Sequence, residues 1–309
     1  MKVAIAGATG FVGTRLVARL HQDNAEIIVL TRNPERARRV LPASTFPRAN
    51  VVHYDPKQSG NWQQAISGCT GVVNLAGTPI ADQRWTPTYK QSILESRQVT
   101  TAKLVEAIEQ ASEKPSVLVN ASAVGYYGTS ETTAFDESSP PGRDFLAQVC
   151  QQWEERAHRV EAAGVRLAIL RFGIVLGPGG ALGKMLTPFQ FFAGGPIGSG
   201  RQWVSWVHRD DVVQLIVEAL SNPAFSGVYN ATAPNPVRMN TLCQTLGEVM
   251  HRPSWLPVPA FALELLLGEG ATVVLDGQQV LPKHTLSAGF EYRYETVKPA
   301  LQAALAEFG

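Results

Sequence analysis

Residues 120–128 read NASAVGYYG, in which Ser122 is followed by two adjacent tyrosines, Tyr126 and Tyr127, and a closing glycine. A serine hydroxyl beside a phenol can polarise a carbonyl oxygen and hand it a proton. A phenol with no cation nearby keeps its free pKa of about 10, which makes it a weak acid and a poor base. Ser122, Tyr126 and Tyr127 form the candidate catalytic set. The other reading of the two rings is that they only wall a pocket.

A second group of residues is suited to phosphate. Val3–Ala6 runs straight into Gly7-Ala-Thr9-Gly10-Phe11-Val12-Gly13, and a helical pattern follows. The three glycines permit a tight turn, a close approach by a pyrophosphate and close packing of helix on strand. The helix then offers free N–H groups and the positive end of its dipole. The next strand ends at Thr31-Arg32 without a carboxylate. NAD binders usually place an acid there for the ribose hydroxyls, whereas an arginine fork suits a 2′-phosphate, so the sequence favours NADP(H). A later strand ends Asn74-Leu75-Ala76-Gly77, small enough for a backbone to lie along the cofactor. Arg97, on the long helix after it, meets either the pyrophosphate or a neighbouring Glu95 or Glu106.

Positioning these groups requires strands that end together. Val3–Ala6, Ile27–Leu30, Val51–Tyr54, Val72–Ala76, Val117–Ala121 and Leu167–Leu170 read as strands. Helical patterns lie between them at Val12–His21, Glu35–Leu41, Gln63–Ser67, Tyr89–Ala111 and Phe145–Ala163. Near-continuous apolar strands alternating with helices imply a doubly wound α/β domain, a parallel sheet covered on both faces. Residues 1–173 form this domain, with segments around 203–230 (a strand at Trp203–Val207, a helix at Asp210–Leu220) completing the sheet. Residues 174–309 form a smaller lobe, dense in glycine and proline at first. From about residue 253 it becomes helical and ends in a helix near Lys298–Phe308.

The bulk numbers exclude several alternatives. The 309 residues carry a formal charge of +1 and are 45% apolar, so nothing marks a nucleic-acid or acidic-membrane binder. Three scattered cysteines offer no metal spacing and no disulfide framework, as in a reducing compartment. No apolar run is long enough for a membrane span, so a soluble cytoplasmic protein is expected, with no metal; its oligomeric state is not encoded in any motif.

The motifs GATGFVG (7–13), NLAG (74–77), SAVGYYG (122–128), LRFGIVLGPGG (170–180) and WVHRDD (206–211) resemble the short-chain dehydrogenase/reductase superfamily in its extended, epimerase/dehydratase-like form. Together with GGPIGSGRQW and the segment VLDGQQVLPKHTLSAGF (274–290), they resemble the atypical YfcH-type epimerase family, whose C-terminal segment is a domain of unknown function. The resemblance implies NADP(H) binding and oxidoreductase or epimerase-like chemistry on an unassigned substrate. It also implies a tyrosine near the start of the helix at 145 with a lysine one turn later. Phe145 and Val149 stand there instead. That departure opens a second reading, a silent NADP(H) sensor. Tyr294 does precede Lys298 by four residues, but far down the tail, and reads as coincidence. Lys184 and Arg201 are the candidate substrate contacts, His208 reads as structural, and Asp136 and Glu137 read as turn carboxylates.

Overall fold

The computed structural model describes residues 1–308. Seven strands form its central sheet: β1 (Lys2–Ala6), β2 (Glu26–Thr31), β3 (Ala49–His53), β4 (Gly71–Asn74), β5 (Val117–Ala123), β6 (Arg166–Phe172) and β7 (Gly227–Ala231). All run parallel in the order β3-β2-β1-β4-β5-β6-β7. The expected doubly wound sheet is present. The strand order reverses between β1 and β4, which opens a crevice at the carboxyl ends of the strands.

Helices cover both faces because the strands are apolar on both. On one side α1 (Phe11–Gln22) and α6 (Arg209–Ser221) set Leu16, Leu20, Val213 and Ile216 against Val3, Ile5, Val73 and Val119. On the other, α3 (Pro87–Gln110) and α4 (Phe145–His158) set Leu104, Ile108 and Ala157 against Ala4, Val72, Leu118 and Ile169. Burying one such leucine or isoleucine contributes about 1.5–3 kcal/mol, so these layers dominate the stability of the sheet. The short α2 (Pro34–Val40) follows β2.

A second core lies outside the sheet. Helices α5 (Gly180–Gln190) and α7 (Met239–Met250) join Val297–Ala306 around the fully buried Trp206. Helix α8 (Ala260–Leu267) lies at the surface.

Three expected elements differ. Phe145–Ala163 is helical only to His158 and then tightens into a 3₁₀ turn at Arg159–Ala163, closed by Gly164 at φ 75°. Gln63–Ser67 is a 3₁₀ turn at Asn61–Ile66. Trp203–Val207 is two short ladders outside the main sheet, Trp203–Val204 beside Val237–Arg238 and Trp206–His208 beside Ile174–Leu176. The break falls at Ser205, whose hydroxyl donates to Gln278 O (2.8 Å) and accepts from Val280 N (2.8 Å), so it serves the C-terminal segment instead of a ladder. Among the described residues no helix is long and apolar enough to cross a membrane, and no cluster of ligating side chains could hold a metal ion.

Candidate active site

The glycine turn leaves β1 and enters α1 with its polar groups open. Gly7 sits at φ 88°, and a Cβ there would lie 2.8 Å from the Leu75 carbonyl carbon. Gly10 N donates to Gly7 O (3.0 Å), closing the turn. A Cβ on Gly13 would lie 2.2 Å from Gly7 O, so only glycine lets the first helical turn seat against the loop. Gly10 caps α1 with no side-chain bond, and its first turn holds no acid. The first N–H groups therefore keep their positive end free. Thr9 is half-buried, Val12 packs on the core, and Phe11 lies under the Gly177–Gly180 turn, so this stretch presents backbone more than side chain.

At the end of β2, Thr31 Oγ1 accepts from Asn33 N (3.1 Å) and Asn33 Oδ1 accepts from Arg36 N (2.9 Å). This cap projects Arg32 and Arg36 into solvent, and neither has an ion-pair partner among the described residues. Exposed guanidinium groups without an ion-pair partner suit an anion. Arg36, which the sequence does not mark, stands in the first turn of α2, its backbone N–H bonded to Asn33.

Behind the NLAG segment, buried Asn74 donates to Thr101 Oγ1 and to Asn120 Oδ1, both at 2.8 Å, tying β4 to β5 and α3. Leu75 N donates to Ala6 O (2.9 Å), which carries Leu75, Ala76 and Gly77 alongside the glycine turn. Arg97 pairs with neither carboxylate that the sequence offered: Glu95 takes Lys57 and Glu106 takes Lys103. Its Nη1 donates to Thr78 O and Ile93 O, both at 3.1 Å, and the guanidinium lies 5.1 Å from the Trp153 ring centroid. Burial pulls its pKa down. A cation held only by carbonyls and a ring is short of an anion.

Ser122 opens a network invisible in linear sequence. Sheet register sets Ser122 opposite Arg171 and Arg171 opposite Asn230, three polar residues in one row across β5, β6 and β7. Ser122 Oγ donates to Glu154 Oε1 (2.6 Å), and Arg171 grips the same carboxylate through Nε (2.9 Å) and Nη2 (2.7 Å). Arg171 Nη1 donates to the Tyr127 hydroxyl (2.9 Å), which donates to Asn230 Oδ1 (2.7 Å). Ser122, Glu154, Arg171 and Tyr127 are each 5% exposed or less. Burial opposes the Arg171 charge, but Glu154 and Tyr127 more than offset it and its pKa rises. Burial pushes the Tyr127 phenol up to about 12 despite Arg171.

These contacts correct two expectations. The tyrosines do have a cation beside them, since Arg171 Cζ lies 3.4 Å from the Tyr126 ring centroid and 5.1 Å from that of Tyr127. They also separate the pair. Tyr127 spends its hydroxyl inside the network, while Tyr126 is half-exposed and makes no side-chain hydrogen bond among the described residues. Glu154, on α4, holds Ser122. One signal was present in the sequence: an arginine inside the apolar strand LRF must find a buried acid.

Phe145 and Val149 join Trp85 and Ile93 in a small apolar cluster, with Trp85 edge-on to Phe145 at 5.2 Å. Lys184 bonds Asp82 Oδ1 (2.7 Å) and Ala81 O (2.8 Å), bridging α5 to the loop before α3. Arg201 is exposed, 3.8 Å from Glu131. His208 is fully buried, and its Nδ1 accepts from Asp210 N (3.1 Å). Burial drives its pKa down to about 4, which keeps it neutral. Its Nε2 has no partner, so it is structural but only half satisfied. Asp136 pairs with Lys283 (2.7 Å) and Glu137 accepts from Asn230 N (3.0 Å) and His284 N (3.1 Å), clasping the C-terminal segment as turn carboxylates can.

Residues 3–232 match the NAD dependent epimerase/dehydratase family, and residues 258–304 match a domain of unknown function, DUF1731. The chain is 54% identical to the epimerase family protein SDR39U1 homolog, chloroplastic, of Arabidopsis thaliana, over 99% of this chain and 87% of that one. It is 39% identical to the epimerase family protein YfhF of Bacillus subtilis, over 99% of each. The crystal structure of the human epimerase family protein SDR39U1 (isoform 2) with NADPH superposes with a TM-score of 0.89 at 33% identity, covering 99% of both chains.

Proposed function

The chain belongs to the NAD dependent epimerase/dehydratase family, and from that premise we propose that it binds NADP(H) and moves a hydride at a carbon bearing oxygen, with Tyr126 supplying the proton. One observation carries this reading. Of the two phenols beyond the end of β5, Tyr126 alone keeps its hydroxyl uncommitted, while Arg171 lies against its ring.

The residues present fit the cofactor. The open N-terminus of α1 and the backbone of Gly7–Gly13 would hold the pyrophosphate, Arg32 and Arg36 the 2′-phosphate, and Leu75–Gly77 the ribose nearest the chemistry. The relative with 33% identity was crystallised with NADPH, which supports the phosphorylated form. When bound, the nicotinamide supplies or accepts the hydride.

This chain's own residues do the rest. The Glu154–Arg171 pair fixes the Ser122 rotamer, with the Ser122 hydroxyl hydrogen committed to Glu154. Tyr126 donates a proton to the developing alkoxide, its ring held against the Arg171 guanidinium.

The test is NADPH oxidation at the nicotinamide absorbance band over a panel of carbonyls and quinones. Turnover should fall at least roughly 100-fold in Tyr126→Phe, as loss of a general acid does. Turnover unchanged in that variant refutes the role of Tyr126. The packing of Phe145 and Val149 into an apolar cluster favours one rival, a silent NADP(H) sensor. Tight NADPH binding with no turnover on any panel member would favour it.

A further inference from the structure

Helix α8 reads AFALELLL, and none of its residues is buried. Phe261, Leu265 and Leu266 are 68–76% exposed. Trp255 and Leu256 precede it, and Phe191 and Phe192 follow α5, all between 42% and 77% exposed. These segments form one surface. The Trp255 indole N–H donates to Phe192 O (3.0 Å), and Trp255 N and Leu256 N both donate to Gly194 O. Ile197 bridges Val258 just before the helix.

The size of this patch sets what can cover it. A whole large apolar side chain presents about 150–250 Å², so these seven fractions amount to roughly 700–1,100 Å². The largest apolar patch on a typical monomer is about 300–600 Å². One partner of a standard interface contributes about 800 Å². Charge then decides between occupants. Glu264 stands within the apolar stretch of α8 and has no ion-pair partner among the described residues. Arg84, whose Nη1 donates to Leu265 O (2.7 Å), and Arg252, 4.5 Å from the Phe192 ring centroid, likewise have none. An anionic bilayer would attract Arg84 and Arg252 but leave Glu264 against like charge. A two-fold contact presents the same patch twice, so an acid and two cations on one face complement themselves.

We infer that a second copy of this chain covers this face, forming a homodimer through α8 and residues 191–192 and 255–256. Sedimentation velocity of the full chain, up to about 100 μM, should show a dimer. Phe261→Asp and Leu265→Asp should each weaken self-association by roughly 30-fold or more, with thermal melting by circular dichroism preserved at concentrations where the wild type is monomeric. Glu264→Arg, which disturbs no packed contact, should also weaken it. A wild type monomeric throughout the range, or a dimer indifferent to both aspartates, overturns the inference. So does a monomer that co-sediments with phosphatidylcholine–phosphatidylserine vesicles and loses that binding in Leu265→Asp.

Discussion

The glycine turn at 7–13 and the row Ser122–Arg171–Asn230 lie on the same sheet, yet they handle polar groups in opposite ways. Around the turn, donors are left open: the first N–H groups of α1 have no side-chain cap, Arg32 and Arg36 face solvent, and Arg97 holds only carbonyls. Along the row, every charge is matched, with Glu154 taking both Ser122 and Arg171 and Tyr127 closing the chain onto Asn230. Open donors are the mark of a surface waiting for an anion, and closed networks the mark of a scaffold. The lesson divides the two tyrosines, which stand next to each other in sequence but one on each side of that boundary.

The largest expected effect comes from breaking the closed row. Glu154→Gln leaves Arg171 buried without its counter-charge and should cost about 3–5 kcal/mol in urea unfolding. Next is the turn itself, where the extra carbon of Gly13→Ala collides with the Gly7 carbonyl. We expect a loss of about 1–3 kcal/mol in stability from the forced backbone shift, and weaker NADPH binding by isothermal titration.

The open side is tested by Arg32→Ala. It should raise the Kd for NADPH roughly 10- to 30-fold, the worth of one charge-assisted bond, and leave the Kd for NADH nearly unchanged. Equal losses for both nucleotides would place the 2′-phosphate elsewhere.

The smallest effect concerns the latch at 206–211. Burial holds His208 down to about 4 and pushes Asp211 up to about 6, where Asp211 accepts from Arg293 N and Tyr294 N. The unfolded histidine binds a proton first, so the His208 contribution is lost as pH falls from about 6.5 to about 4. The folded Asp211 binds its proton first, so stability is gained as pH falls through 6 toward 4. The two slopes oppose each other. Asp211→Asn removes the compensating one, and unfolding free energy between pH 6.5 and 4.5 should then fall more steeply, by about 1 kcal/mol across the window.

Much of this was legible before any coordinates. The apolar runs at Val3–Ala6 and Val117–Ala121 mark strands buried on both faces, and the glycines at 7, 10 and 13 gain their meaning from standing between the first strand and the first helix. The segment Trp203–Val207 misled because its alternation is that of a strand, while Ser205 breaks the ladder to serve Gln278 and Val280. Asp210 and Asp211 form the acidic first turn of α6. Asp210 also bonds Arg15 of α1 (2.6 Å) and Asp211 caps the incoming tail, contacts separated by 195 and 82 positions.

Sequence by itself determined the layered sheet, the phosphate turn and the absence of an acid at the end of β2, because each depends on residues within a few positions of one another. Only the tertiary structure decided which tyrosine is free, where Arg97 goes and what Glu154 does. Those outcomes depend on strand register and helix docking, which bring residue 122 beside 171 and 154, and no local propensity encodes that alignment.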